Sequence, residues 1–194
     1  MKAAAALAAS LALAAPTGPA ATQCAKDYPA LKDREMAIID LGSAIEASVD
    51  DVAALKPEQR AIVDKANALL ASRTRIADRK DVEIVDRARA LLRDAGAWNR
   101  ADTRQCTTGE KKVSLFCALQ FASRDVTGEY RHRRTAIEEV RIAVEEATRG
   151  RDYDHRLMDF NNDPRTRLTD LHAVLAAART RLVERLKQQA ACGL

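Results

Sequence analysis

The sequence predicts an all-α, single-domain bundle of four or five main helices, pinned by two disulfides. Three observations predict it. Apolar residues recur at spacings of three and four, the period of a helix, and strand-like alternation is nearly absent. The 7 Gly and 5 Pro are rare and sit at the edges of the periodic segments. The 4 Cys follow a leader-like N-terminus, and an even number in an exported chain favours disulfides.

Residues 1–21 read as a cleaved signal peptide. Lys2 is followed by Ala and Leu broken only by Ser10 up to residue 15, then by small residues ending in Gly18-Pro19-Ala20-Ala21. Cleavage is expected after Ala20 or Ala21, leaving one helical domain over 22–194. No later segment approaches a membrane-spanning run of uncharged apolar residues. The mature chain is expected to be exported, to the periplasm first and to a secreted fate second. The expected bridges are Cys106–Cys117, across a polar turn, and Cys24–Cys192, joining the two ends. Chain entropy assigns them roughly 3 and about 5 kcal/mol. No Cys-x-x-Cys or Cys-x-x-Cys-His occurs, which argues against a thioredoxin-like role and covalent haem. The formal net charge of +4, one less without Lys2, is too mild to imply nucleic acid. Aromatics at 4% leave few platforms for stacking bases or sugars.

The elements follow in order. Ile38, Leu41, Ile45, Val49 and Val52 predict a helix from about 30 to 54. Pro57-Glu58 starts a second, to about 73, with Ile62, Ala66 and Leu69 or Leu70 inward. Val82, Val85, Ala88 and Leu92 predict a third over about 80–95; residues 76–80 read either as a break or as a kink in one long helix. Residues 96–112 are the longest irregular stretch. Ser114 is placed to cap a long helix to about 149, with Val126, Tyr130, Ile137, Val140, Val144 and Ala147 inward and Gly150 as its stop. A short helix over about 152–160 follows. The last runs from about 164 to 190 on Leu168, Leu171, Leu175, Ala178 and Leu182.

The stretch Asp159-Phe160-Asn161-Asn162-Asp163-Pro164 begins like a calcium loop, with Asp159, Asn161 and Asp163 in the first three ligand places. Pro164 stands where such a loop needs Gly, Arg165 and Arg167 bring positive charge, and Asp170 is too short for the closing Glu. A corner between helices explains more residues: Asn161 or Asn162 ends one helix, Asp163 caps the next and Pro164 opens it.

Glu129-x-x-His132 and Asp152-x-x-His155 carry di-iron spacing if they lie on helices. Such a site needs further inward carboxylates; Glu46 lies beside an apolar stripe and Glu83 away from one. Arg131, Arg133 and Arg134 favour anions over cations there, so neither metal nor cofactor is expected. The run Tyr130, His132, Arg133 and Arg134 has two readings. One is a solvated helix face, its arginines paired with Glu129, Glu138 and Glu139. The other is an anion-binding or docking surface, joined by Tyr153, His155, Arg156 and Asp159 if the short helix folds back. His172 reads as a boundary residue. No activated nucleophile, Walker loop, Rossmann glycine motif or His-Glu-x-x-His is present.

Leu55-Lys56-Pro57-Glu58-Gln59-Arg60 looks like the Leu-Thr-x-x-Gln motif of small helical periplasmic chaperones and stress sensors, with Lys56 in place of Thr and no second copy. The reading that follows is an exported, non-enzymatic bundle that binds another macromolecule, an unknown protein or envelope component. Its role would be chaperone-like, inhibitory or immunity-related, or in envelope assembly. The alternative is a small-ligand or metal-binding bundle, with the polar groups of 129–132 and 152–159 turned inward. Convergence of Tyr130, His132 and His155 in a cavity favours the alternative; spread over an exposed face, they favour docking.

Overall fold

The computed structural model describes residues 33–49, 54–71 and 76–193. The expected signal peptide and Cys24 lie outside these residues. The fold is all-helical, but it has seven helices among the described residues rather than four or five. They are α1 (Asp33–Ala47), α2 (Pro57–Ala71), α3 (Arg79–Leu91), α4 (Leu115–Thr127), α5 (Thr135–Ala147), α6 (Arg156–Asn162) and α7 (Leu168–Ala191). None is long and apolar enough to cross a membrane. One disulfide, Cys106–Cys117, is formed among the described residues.

The expected long helix from Ser114 is two helices. Ser114 does cap the first, its hydroxyl accepting from the Cys117 N–H at 3.2 Å. That helix stops at Gly128, whose φ of 82° is left-handed and whose N–H bonds to the Arg124 carbonyl at 2.8 Å. Apolar spacing runs through the break because α4 and α5 both face the same core, in which Leu115, Leu119, Ile137, Val140 and Val144 are fully buried. The break at 76–78 is real. Asp78 accepts from the Asp81 N–H at 3.0 Å, and Asp81 accepts from the Asp78 N–H at 2.9 Å, a reciprocal cap that starts α3.

Helix α3 packs on α4 and α7, and α7 packs on α5. Their shared core includes Ile84, Val85, Ala88 and Leu92 from α3, and Leu171, Leu175, Ala178 and Leu182 from α7. Two polar ties hold this block. The Gln189 side chain pairs with both backbone groups of Ala77, at 2.7 Å each, fixing the end of α7 to the entrance of α3. Arg185 donates to the buried Glu139 at 2.6 Å, linking α7 to α5.

Helices α1 and α2 pack on each other as a hairpin. The expected α1 stripe is out of phase: Ile39 and Ser43 are buried, whereas Leu41 is 51% exposed. A Cβ on Gly42 would sit 2.5 Å from the Ala66 Cβ, so the two backbones approach closely, and the face carrying the smallest side chains turns inward.

Asp159–Asp163 is a corner, though not as expected. Pro164 does not open the last helix, which begins at Leu168; Asp163 instead closes α6. Asn161 Oδ1 accepts from Trp98 Nε1 at 2.8 Å and from the Leu115 N–H at 3.0 Å, while its amide donates to the Asn99 carbonyl at 2.9 Å. Asn162 bonds both backbone groups of Asp102, at 2.7 and 2.9 Å. Arg100 lies 4.9 Å over the Trp98 ring and donates to the carbonyls of Asp163, Pro164 and Thr166. The corner therefore holds the irregular segment between α3 and α4. Asn161→Ala leaves two buried donors without acceptors and should destabilise the chain by about 2–5 kcal/mol, read by urea unfolding on Trp98 fluorescence. A loss below about 1 kcal/mol would contradict this role.

Candidate binding cleft

Residues 128–134 leave α4 and enter α5 without forming a helix. Glu129 and His132 therefore share no helix face, and the same is true of Asp152 and His155, which precede α6. The polar side chains of this link reach different partners. Tyr130 packs edge-on against Phe116, with centroids 6.0 Å apart. Its hydroxyl lies 3.1 Å from His132 Nδ1. Arg131 pairs with Glu129 at the surface, at 2.8 Å. Arg133 pairs with Glu46 of α1, bonds Asn67 of α2 at 3.0 Å and lies 3.4 Å from Glu138. Arg134 turns away, chelating Asp78 at 3.0 Å and lying 2.8 Å from buried Asp81.

Arg141 of α5 organises this link. It pairs with Glu138, donates to the His132 carbonyl at 2.8 Å and lies 2.8 Å from His132 Nε2. The same Arg141 nitrogen lies 3.2 Å from His132 Nδ1, and a guanidinium can only donate, so the unprotonated ring nitrogen of neutral His132 accepts from it. Burial first, then the charges of Arg141 and Arg133, push the His132 pKa down to about 3. Burial also raises Tyr130 above the ordinary tyrosine value.

Arg104 forms the facing wall. It is the described non-glycine residue with a left-handed backbone, at φ 60°, and its N–H bonds Asp102 Oδ1 at 2.7 Å. The Cys106–Cys117 bond ties this turn to the first turn of α4. The Arg104 guanidinium donates to the Val49 carbonyl at 3.1 Å and lies 3.4 Å from His155 Nε2. Asp159 accepts from the His155 N–H at 2.7 Å, which shapes the start of α6. Tyr153 donates to Asp163 at 2.7 Å. Arg165 grips Asp163 with two bonds, at 2.9 and 2.7 Å, and holds its carboxyl well below the usual range with help from Tyr153. Asp159 thus spends one oxygen and Asp163 both on protein donors, and no described group of three His, Cys, Asp or Glu is placed to hold a metal.

Between the walls lies a cleft of about 390 Å³. Arg104, Arg133, Arg141, Arg156, His132 and His155 bring the nitrogen groups; Glu46, Asn67 and Asp154 bring oxygens; Phe116, Leu157 and Met158 add apolar surface. Of the ligand residues expected from sequence, His132, Arg133, Tyr153, His155 and Arg156 line it. Tyr130 stands behind His132, Asp159 supports from the rear, and Arg134 belongs to the Asp78–Asp81 cap. Of the pairings expected for a solvated face, Arg131–Glu129 and Arg133–Glu138 form, while Glu139 serves Arg185 of α7. His172 bonds the Leu92 carbonyl at 2.8 Å, at the boundary of the core. Sequence reasoning missed Arg104 and Arg141. Arg141 carried a signal, a charge among the apolar positions of α5; Arg104 in its irregular turn carried none.

Residues 77–181 match a protein family described as a family of unknown function (DUF6197). The matched span holds the four cleft arginines and both histidines; Glu46 and Asn67 lie outside it. No curated protein and no solved structure matches the chain.

His132 gives a signed pH dependence. The unfolded chain takes up a proton near the ordinary value of 6.5, and the folded chain takes none until about 3. Stability is therefore lost as pH falls through that window. Urea unfolding at stepped pH should show the parent chain losing more stability than His132→Gln between pH 6.5 and about 4. Parallel curves would contradict the buried, neutral assignment.

Proposed function

The chain belongs to the DUF6197 family, and we propose that it is an exported, non-enzymatic helical bundle that binds a small anionic ligand in the Arg/His cleft. The observation that carries this is the convergence of Arg104, Arg133, Arg141 and Arg156 with His132 and His155 on one concavity of about 390 Å³. That volume falls in the range of small-molecule sites. Guanidinium forks match carboxylate and phosphate oxygens. Arg133 and Arg141 share Glu138, and Arg156 reaches Glu145 at 3.1 Å, so carboxylates set the guanidiniums in place around the cleft.

We place this reading ahead of docking to a protein or envelope component because His132, Arg133 and His155 line one cleft, while Arg134 turns away to the Asp78–Asp81 cap. A binding role fits better than acid–base chemistry. His132 commits a ring lone pair to Arg141 and is a very weak base at neutral pH. Export is supported by the leader-like residues 1–21 and by the Cys106–Cys117 disulfide, which oxidising compartments favour.

Calorimetric titration of the disulfide-intact chain with succinate and with inorganic phosphate tests the proposal. At least one should bind saturably, and Arg104→Gln should weaken that binding about tenfold, or ~1.4 kcal/mol, with helicity retained. No saturable binding of either anion, or equal affinity in the variant, would contradict it.

A further inference from the structure

Donors and acceptors in the cleft come from different parts of the chain. The family-matched region, 77–181, supplies the guanidiniums and imidazoles. The α1–α2 hairpin supplies acceptors to them: the Glu46 carboxylate and Asn67 amide oxygen to Arg133, and the Val49 carbonyl at the end of α1 to Arg104. The hairpin thus stands toward these arginines as an anionic ligand would. We infer that Glu46 is a resident carboxylate occupying the ligand's place on Arg133, and that the ligand is itself a carboxylate that exchanges with it. This rests on the anion-binding reading of the cleft.

The geometry separates Glu46 from the other carboxylate on Arg133. Glu138 is 4% exposed and shared with Arg141, so it is a fixed part of the floor. The Glu46 side chain is 15% exposed, lines the cleft itself, and is steadied by the Asn67 amide at 3.3 Å. Exchange of one carboxylate for another leaves Arg133 paired throughout. Glu46 gives one oxygen to Arg133 and the other to the Asn67 amide, a pair of donors that the two oxygens of a ligand carboxylate match in its place.

The test compares succinate and inorganic phosphate on the parent chain, Glu46→Ala, Glu46→Gln and Gly42→Ala, by calorimetry with helicity checked in parallel. Removing the resident carboxylate should tighten succinate binding about tenfold in Glu46→Ala. Glu46→Gln, which keeps the side-chain volume, should shift it in the same direction by less. Phosphate should gain less than succinate, and Gly42→Ala, which crowds Ala66 and loosens the hairpin outside the cleft, should stay near the parent. Equal succinate affinity in the parent and both Glu46 variants would overturn the exchange while leaving the cleft as an anion site. An equal gain for phosphate would overturn the carboxylate assignment. A gain in Gly42→Ala as large as in Glu46→Ala would make hairpin loosening the cause and overturn it too. If neither anion binds any of these chains, both this inference and the anion-binding reading fall.

Discussion

Arg141 joins three things that would otherwise be separate: the Glu138 carboxylate, the His132 carbonyl and the His132 ring. The link between α4 and α5 has no helical hydrogen bonds of its own, and this guanidinium gives it a conformation. With His132 held, Tyr130 falls against Phe116 on one side, and Arg133 reaches the α1–α2 hairpin on the other. Arg134 is carried to the Asp78–Asp81 cap that begins α3. One buried charge thus sets where four chain segments meet, and the cleft is the space left between them. A buried arginine is costly unless every donor is matched. Here the matching partners are the residues that shape the site.

The rest of the domain is arranged to keep that meeting point rigid. The α3–α4–α5–α7 core is apolar and ordinary, and beside the Arg185–Glu139 pair its polar ties are backbone-directed. Gln189 acts on Ala77 as a strand neighbour would, and Asn161 does the same for Leu115 and Asn99. The Asn161–Asn162 corner and the Cys106–Cys117 bond hold the two ends of the segment that carries Arg104. A left-handed arginine between such anchors is held toward the cleft by its backbone together with its side-chain bond to the Val49 carbonyl. The hairpin is the looser partner, with polar contacts rather than a shared core joining it to Arg133 and Arg104.

Much of the fold was legible in the sequence because helical period and end signals agree for α3 and α7. Val85, Ala88 and Leu92, and Leu171, Leu175, Ala178 and Leu182, are buried where their spacing placed them. Periodicity failed where two helices share one core: the stripe through Val126, Tyr130 and Ile137 continued across Gly128, and only the left-handed backbone there ends α4. It failed again in α1, where close approach to Ala66 turned Gly42 and Ser43 inward instead of Leu41. The site was legible in part. His132, Arg133, His155 and Arg156 stood out as charged and aromatic-flanked residues, but their convergence depends on the break that the pattern concealed. Arg104 could not be found, because nothing local distinguishes an arginine that enters a cleft from one that enters solvent.

The central claim is that the guanidiniums of Arg104, Arg133 and Arg141 form one anion-binding centre. Nitrogen-detected magnetic resonance of the arginine side chains, followed during titration with succinate, tests it most directly. The account predicts saturable shifts of Arg104, Arg133 and Arg141 with a common midpoint, together with the His155 ring. Shifts confined to surface arginines such as Arg87, Arg93 and Arg179, or no saturable shift, would contradict it.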